Sequence, residues 1–290
     1  MSRKGLLLFL AVGIAWGIPY FFIRIAVAYF SPATIILARV LVGAAVLLPL
    51  AIRQKSFLPA LRAWPWVLSF ALIEMVGPWW LITSAEKHVS SGLAGLLVAT
   101  VPFFGAVIAY FFLGDKSVRH PKTLFGLLVG FIGVFLLVGI DSLQGNTDPI
   151  WVWAVVLSAL LYAIAPALAS VKLAHVSSTG TLPLAMLMVA AIYAPSALAN
   201  LPGEITANPP VEAWLSLGTL GIVCSAIAFL LFFALMREIG SARSTLVTYV
   251  NTVVALALGV SFLAEPITLG MMVGLPLVVV GSYFATKRHS

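Results

Sequence analysis

Residues 97–130 read LVATVPFFGAVIAYFFLGDKSVRHPKTLFGLLVG, and residues 246–274 read LVTYVNTVVALALGVSFLAEPITLGMMVG. In both stretches a Leu-Val pair opens a long apolar run. The run closes on Leu, a small residue and an acid (Leu113-Gly114-Asp115 and Leu263-Ala264-Glu265), and a Gly-x-x-x-Gly pair follows (Gly126/Gly130 and Gly270/Gly274). The second copy is shorter in its connecting loop. Self-similarity over such a distance fixes architecture before local detail does: the chain is built as two related halves.

Composition sets the solvent. Of the 290 residues 62% are hydrophobic and 9% charged, and the mean hydropathy is +1.13. That leaves too little polar surface to wrap a water-soluble globule, so the chain is expected to sit in a lipid bilayer. One cysteine, Cys224, excludes an intramolecular disulfide and argues against a cysteine metal site. The net charge of +7 comes with no aromatic-basic pattern, so it does not point to nucleic acid.

Ten apolar spans are expected, at roughly 5–27, 33–52, 64–85, 90–113, 121–140, 149–172, 179–199, 212–237, 242–263 and 268–287, each near the ~20 residues that cross ~30 Å of hydrocarbon. Turn formers mark the breaks: Ser31-Pro32, Pro59, His120-Pro121, Gly145-Asn146, Asp148-Pro149, Pro202-Gly203, Pro209-Pro210 and Pro266. The alternating short strands of a membrane barrel are absent from the pattern. The opening MSRKGLLLFLAVGIAWGI resembles a signal peptide, but its run is too long and holds Trp16, Pro19 and Tyr20. It is read as a retained first span.

With the N-terminus on the cytoplasmic side, that side gathers Arg3, Lys4, Arg53, Lys55, Arg62, Lys116, Arg119, Lys122, Lys172, Arg237, Arg243, Lys287 and Arg288, against Lys87 alone on the other. This is the distribution of the positive-inside rule. Trp64, Trp66, Trp151, Trp153 and Trp214 fall at span edges, as interfacial rings do.

Ten spans in two copies give five each, and an odd number forces the second copy to lie upside down. The expected fold class is therefore an all-α integral membrane protein, ten transmembrane helices in two inverted five-helix repeats over residues 1–142 and 149–290. Tyr162-Ala163-Ile164-Ala165-Pro166 is a weak partner of Trp16-Gly17-Ile18-Pro19-Tyr20, with Pro166 over Pro19. Inverted repeats are the architecture of secondary transporters, whose site lies near the midplane between the halves.

The chain resembles the EamA branch of the drug/metabolite transporter superfamily over essentially its whole length. Carrying the resemblance are Trp16-Gly17, Ser31-Pro32 with Arg39, Val101-Pro102, Leu263-Ala264-Glu265-Pro266 and the glycines of the last span. Two departures stand out: Asp115 in place of Glu, and Asn251 where the second copy should carry proline. Within the branch the chain is most similar to amino-acid exporters of the YddG type. The resemblance implies a multi-pass exporter of small metabolites in the bacterial inner membrane, needing no cofactor.

Pro102 lies midway along the fourth span, where proline removes a backbone hydrogen bond and crowds the preceding turn. It is a candidate hinge, as are Pro19, Pro166 and Gly259. Glu74 stands near mid-membrane, where an ionised carboxylate costs at least ~2.5 kcal/mol. Three roles are open to it: a contact for a substrate ammonium, a proton carrier, or a neutral structural group. Arg39 is read as structural or gating, with a carboxylate of Glu74, Glu86 or the substrate as its alternative partner. Trp16, Tyr20, Trp79, Trp80, Tyr162, Tyr249 and Asn251 form a deep aromatic and polar set suited to a substrate cavity. Trp79 and Trp80 point ~100° apart, so one at most faces its centre. The glycine pairs, with Gly13/Gly17, are read as close helix packing, and oligomeric state is open.

No G-x-S-x-G, H-E-x-x-H, CxxC or phosphate loop occurs. The histidines, at 88, 120, 175 and 289, are too scattered for a metal cluster. A carrier is thus expected rather than an enzyme or channel. Its partners are a small-molecule substrate, the lipid bilayer and, in the antiport alternative, protons. Amino acids with apolar or aromatic side chains are the expected substrates, lipophilic cations or drugs the rival class.

Overall fold

The computed structural model describes residues 2–113, 121–143, 148–240 and 244–286. Expectations on Gly114 to His120, on Gly145-Asn146, on Arg243 and on Lys287, Arg288 and His289 lie outside the described residues. All regular structure among the described residues is helical.

Helix α1 (Arg3–Ala26) is capped by Ser2, whose hydroxyl accepts from the amide of Gly5 at 2.9 Å. In the same way Ser31 precedes α2 (Pro32–Arg53), and Pro32 occupies the first turn, where its missing N–H has no intrahelical partner to lose. After the short α3 (Phe57–Arg62), helices α4 (Trp64–Ala71) and α5 (Gly77–Ala85) join through a wide π-helical turn at Leu72–Val76. Helices α6 (Ser91–Val98) and α7 (Val101–Leu113) make the fourth apolar segment, and α8 (Pro121–Leu143) the fifth. The second half holds α9 (Pro149–Lys172), α10 (Ser178–Thr206), α11 (Val211–Gly221), α12 (Ala228–Ile239), α13 (Val247–Leu263) and α14 (Leu269–Thr286). A second π-helical turn, Ile222–Ile227, links α11 to α12.

Seven segments among the described residues are long and apolar enough to cross a membrane: Arg3–Ala26, Pro32–Arg53, Trp64–Ala85, Ser91–Ile108, Pro149–Lys172, Ser178–Thr206 and Val211–Ile239. Three shorter apolar helices accompany them, Leu124–Gly133, Val247–Leu263 and Leu269–Gly281. Two expectations change in detail. The break at Pro202-Gly203 is not there, because the hydrogen bond lost at Pro202 falls in the exposed last turns of α10, and the helix runs on to Thr206. Pro102 does not kink a continuous helix. The chain breaks at Ala99-Thr100 and Pro102 starts the next helix, in the first turn where proline is tolerated.

The halves pack reciprocally. Helix α1 lies on α11–α12 and α13, while α9, its counterpart, lies on α5 and α6–α7. Helix α2 packs on α10 and α8 on α14. Polar contacts give directions: the Ser31 amide donates to Glu204 at 2.7 Å and Ser31 Oγ accepts from Asn200 at 3.3 Å, whereas Ser56 meets Thr179 at 3.1 Å. The start of α2 thus meets the end of α10, and the two run antiparallel. Helices α8 and α14 are antiparallel as well, since Gly130 faces Gly281 and Gly133 faces Leu277 and Gly274. By contrast α1 and α13 run parallel, with Gly13 against Val250 and Gly17 against Val254.

These directions sort the charges. One end of the bundle carries Arg3, Lys4, Arg53, Lys55, Arg62, Lys172 and Arg237, with Lys4 3.8 Å from Glu238 and Lys172 4.6 Å over the Trp66 ring. This is the basic end. The other, acidic end carries Glu86, Glu204, Glu212 and Glu265 beside Arg24 and Lys87.

Candidate functional site

A cavity opens within the bundle, walled by both halves. From α1 come Trp16, Pro19, Tyr20 and Ile23, one stripe of a helix face. Arg39 enters from α2, Glu74 from the first π-helical turn, and Trp79 and Ile82 from α5. Val98 and Val101 flank the break between α6 and α7. The second half supplies Tyr162 and Pro166 from α9, Phe229 and Phe232 from α12, and Thr245, Val247, Thr248 and Asn251 at the start of α13. Corresponding positions of the two halves meet here: Pro19 with Pro166, and Val98 with Val247.

The π-helical turns explain why charge can stand so deep. Such a turn widens the helix and disturbs its hydrogen-bond ladder, which is why it marks functional positions. In the second turn, Ser225 Oγ accepts from Arg39 Nε at 2.6 Å and donates to the Leu220 carbonyl at 2.8 Å, and the Cys224 carbonyl lies 3.4 Å from Arg39 Nη2. The guanidinium carbon sits 3.7 Å from the centre of the Trp79 ring, a cation–π stack. Arg39 is only 6% exposed, yet its hydrogen-bond partners among the described residues, Ser225 and Cys224, are neutral. Glu74, 5% exposed in the first turn, has a carboxylate oxygen, Oε2, with no hydrogen-bond partner among the described residues. The aromatic wall holds its own geometry: Trp16 lies 4.5 Å from Phe232 and 5.5 Å from Phe229, and Trp79 lies 6.4 Å from Phe229, between ring centres.

Of the residues expected to bind substrate, the cavity brings together Trp16, Tyr20, Glu74, Trp79, Tyr162 and Asn251, with Pro19, Arg39 and Pro166 of the expected hinges. Trp80 stands elsewhere. It is 41% exposed and stacks on Tyr193 at 5.8 Å, whose hydroxyl donates to the Val76 carbonyl at 2.8 Å. Tyr249 and Pro102 do not line the cavity. Helix α13 runs unbroken through Gly259, which has no room for a side chain between Glu265 and the Ser91 hydroxyl. Sequence reasoning missed Phe229, Phe232 and Ser225. The first two share a face of α12 at spacing three, a signal any apolar helix offers. Ser225 matters only through its meeting with Arg39, 186 positions away.

The acidic end is closed by polar contacts. The Glu265 carboxylate accepts from the amide of Ser91 (2.8 Å), its hydroxyl (2.9 Å) and the amide of Gly92 (3.0 Å), capping α6 from the other half. Arg24 donates to the main-chain carbonyl of Glu86.

With fold and cavity in place, the match to known proteins is direct. Residues 3–139 and 149–287 each match the EamA-like transporter family. The chain belongs to that family. An inner membrane transporter of Escherichia coli strain K12, "YedA", is 31% identical over 94% of this chain and 90% of its own length. A "Probable terminal-alkyne amino-acid exporter" of Streptantibioticus cattleyicolor is 27% identical over 95% of this chain and 91% of its own. A solved crystal structure covering 98% of both chains superposes with a TM-score of 0.68 at 22% identity, a likeness of fold. This EamA-like protein is thus a membrane transporter of two repeats, and a transporter implies a small-molecule substrate and a surrounding bilayer.

Proposed function

We infer that the transporter exports amino acids with apolar or aromatic side chains, by alternating access through ten spanning helices in two inverted repeats, 1–142 and 149–290. One observation carries the substrate class. Arg39 and Glu74, a buried cation and a buried anion, face one aromatic-walled cavity without pairing with each other. A zwitterion presents an ammonium to Glu74 and a carboxylate to Arg39, while its side chain meets Trp16, Tyr20, Trp79, Tyr162 and Phe229. A simple lipophilic cation would satisfy Glu74 and be repelled by Arg39, whose guanidinium already covers the Trp79 face a cation would take. The relative named as an amino-acid exporter supports the same class.

Inversion is supported by the directions of packing: antiparallel α2–α10 and α8–α14, parallel α1–α13. The charge on the basic end supports cytoplasmic termini. On that orientation Glu265 and Arg24 close the outer side, and Thr245, Val247 and Phe232 carry the cavity toward the cytoplasm.

Liposomes carrying the purified protein, offered labelled phenylalanine, labelled threonine and an aromatic cation, test the reading. Saturable phenylalanine flux with little movement of the cation is expected. Movement of the cation alone would replace amino acids with drugs as the substrate class, and ion current without saturation would replace the carrier with a channel.

A further inference from the structure

Glu86, just past the end of α5, is a carboxylate the cavity does not use. It is 0% exposed, and neither of its oxygens has a hydrogen-bond partner among the described residues. The other carboxylates of the acidic end differ. Glu265 accepts three hydrogen bonds and Glu204 accepts one from the Ser31 amide. Arg24 spends its hydrogen bond on the main-chain carbonyl of Glu86, not on its side chain. A buried carboxylate with no donor and no ion pair is held in the protein only as the neutral acid.

We propose that Glu86 is a proton-binding site that holds the acidic end shut: this end closes over the protonated side chain and opens when the proton leaves. In the open form water reaches the carboxylate, a proton from that water forms the O–H bond, and closure buries it. Opening returns the proton to water. The charged and titratable groups around the site are Arg24 and Tyr20 from α1, Arg39 from α2, Glu265 after α13, and Lys87 and His88 on its own segment. Burial and then the Glu265 carboxylate hold Glu86 protonated to higher pH than an ordinary glutamate, against the opposing pull of Arg24 and Arg39. The sign follows. The closed form binds the proton more tightly than the open, hydrated one, so closure is complete at low pH and is lost as pH rises through the raised value. Tyr20 lines the cavity and lies among the groups around Glu86, so the site borders the cavity. Together with the transport reading above, the site would tie each opening of this end to a proton.

Spin labels on Lys87→Cys and Ile267→Cys, both exposed at the acidic end, in a Cys224→Ala background of the full chain in lipid nanodiscs, read the gate directly. As pH rises from about 5 to about 9, a range that lies above ordinary glutamate titration and takes in that of histidine, a single short distance should give way to a longer population. Glu86→Gln and Glu86→Met, both neutral, should keep the short distance throughout, while His88→Gln should respond as the parent does. A parent distance that ignores pH, or a Glu86 variant that responds as fully as the parent, overturns the proposal, and loss of the response in His88→Gln transfers the site to His88. No substrate is present, so a failure of amino-acid flux would sink the transport reading and leave this result standing.

Discussion

Arg39 and Glu74 line the same cavity from α2 and the first π-helical turn, and neither comes within ion-pairing distance of the other. Each is nonetheless buried, so each holds interaction strength in reserve for a ligand that bridges them. Hydrogen bonds to charged groups contribute about 1.5–3 kcal/mol, roughly 10- to 100-fold in affinity. Glu74→Gln and Arg39→Gln should each raise KM for phenylalanine by about that factor in liposome flux, with amounts of folded protein compared by gel filtration. Phenethylamine, a cation without the carboxylate, should lose nothing in Arg39→Gln and should move more readily once the repelling guanidinium is gone. Unchanged phenylalanine KM in both variants would remove the pair from recognition.

A second prediction concerns the seam between α8 and α14. A Cβ built on Gly281 would strike the backbone of Gly130 and come within 2.7 Å of the Gly126 carbonyl, and neither backbone can give way cheaply. Overpacking of this kind costs about 1–3 kcal/mol. Gly281→Ala should therefore lower the thermal midpoint of the purified protein by several degrees, while Gly105→Ala, where a methyl meets nothing within 4 Å, should leave it unchanged or slightly raised. Equal midpoints would mean that the helices do not approach as closely as the structure has them.

How much of this was legible in the sequence follows from what each feature depends on. The apolar segments and their doubling could be read because length and hydropathy are local and repeats survive as echoes, as in Leu97-Val98 and Leu246-Val247. Trp16, Tyr20 and Glu74 could be singled out because polar or amphipathic groups at mid-membrane need a reason. The π-helical turns at Leu72–Val76 and Ile222–Ile227 could not. Gly77-Pro78 follows the first and Gly221 precedes the second, but such residues mark kinks and helix ends as readily as wide turns, and the turns are stabilised by tertiary partners such as Arg39 on Ser225 and Tyr193 on the Val76 carbonyl. Trp79 and Trp80 show the same divide: the ~100° between neighbours on a helix said that they must part, but only packing decides which one turns inward. The closure by Glu265 needed the approach of α6 and α13, which no local pattern encodes.

That closure gives a third prediction. Glu265 holds the amides of Ser91 and Gly92, the first N–H groups of α6, which have no partner within their own helix. Glu265→Ala removes the acceptor that spans the two halves and should speed hydrogen exchange at those two amides by about 10- to 100-fold, the equivalent of a charged hydrogen bond. Exchange in α2 should not change. Mass spectrometry of peptides covering residues 86–93 checks both, and protection equal to the parent would show that Ser90, whose hydroxyl caps Leu93 at 3.2 Å, suffices to hold the helix start.

The adjacent tryptophans supply the last prediction. Trp79 is 3% exposed, under the Arg39 guanidinium and against Phe229, whereas Trp80 is turned outward onto Tyr193. A desolvated cation–π contact contributes about 2 kcal/mol, and removing the ring also frees Arg39 to leave the orientation set by Ser225. Trp79→Ala should raise KM for aromatic amino acids roughly 30-fold or more by that contribution, and Trp79→Phe should recover part of it because a smaller ring face remains. Trp80→Ala should leave KM within about twofold, the scale of a contact at an exposed position. The measurement is the KM ratio of the two alanine variants in the same liposome assay. A ratio near one would mean that the stack beneath Arg39 plays no part in holding substrate, and the carboxylate end of the site would then have to be sought among Thr245, Thr248 and Asn251 instead.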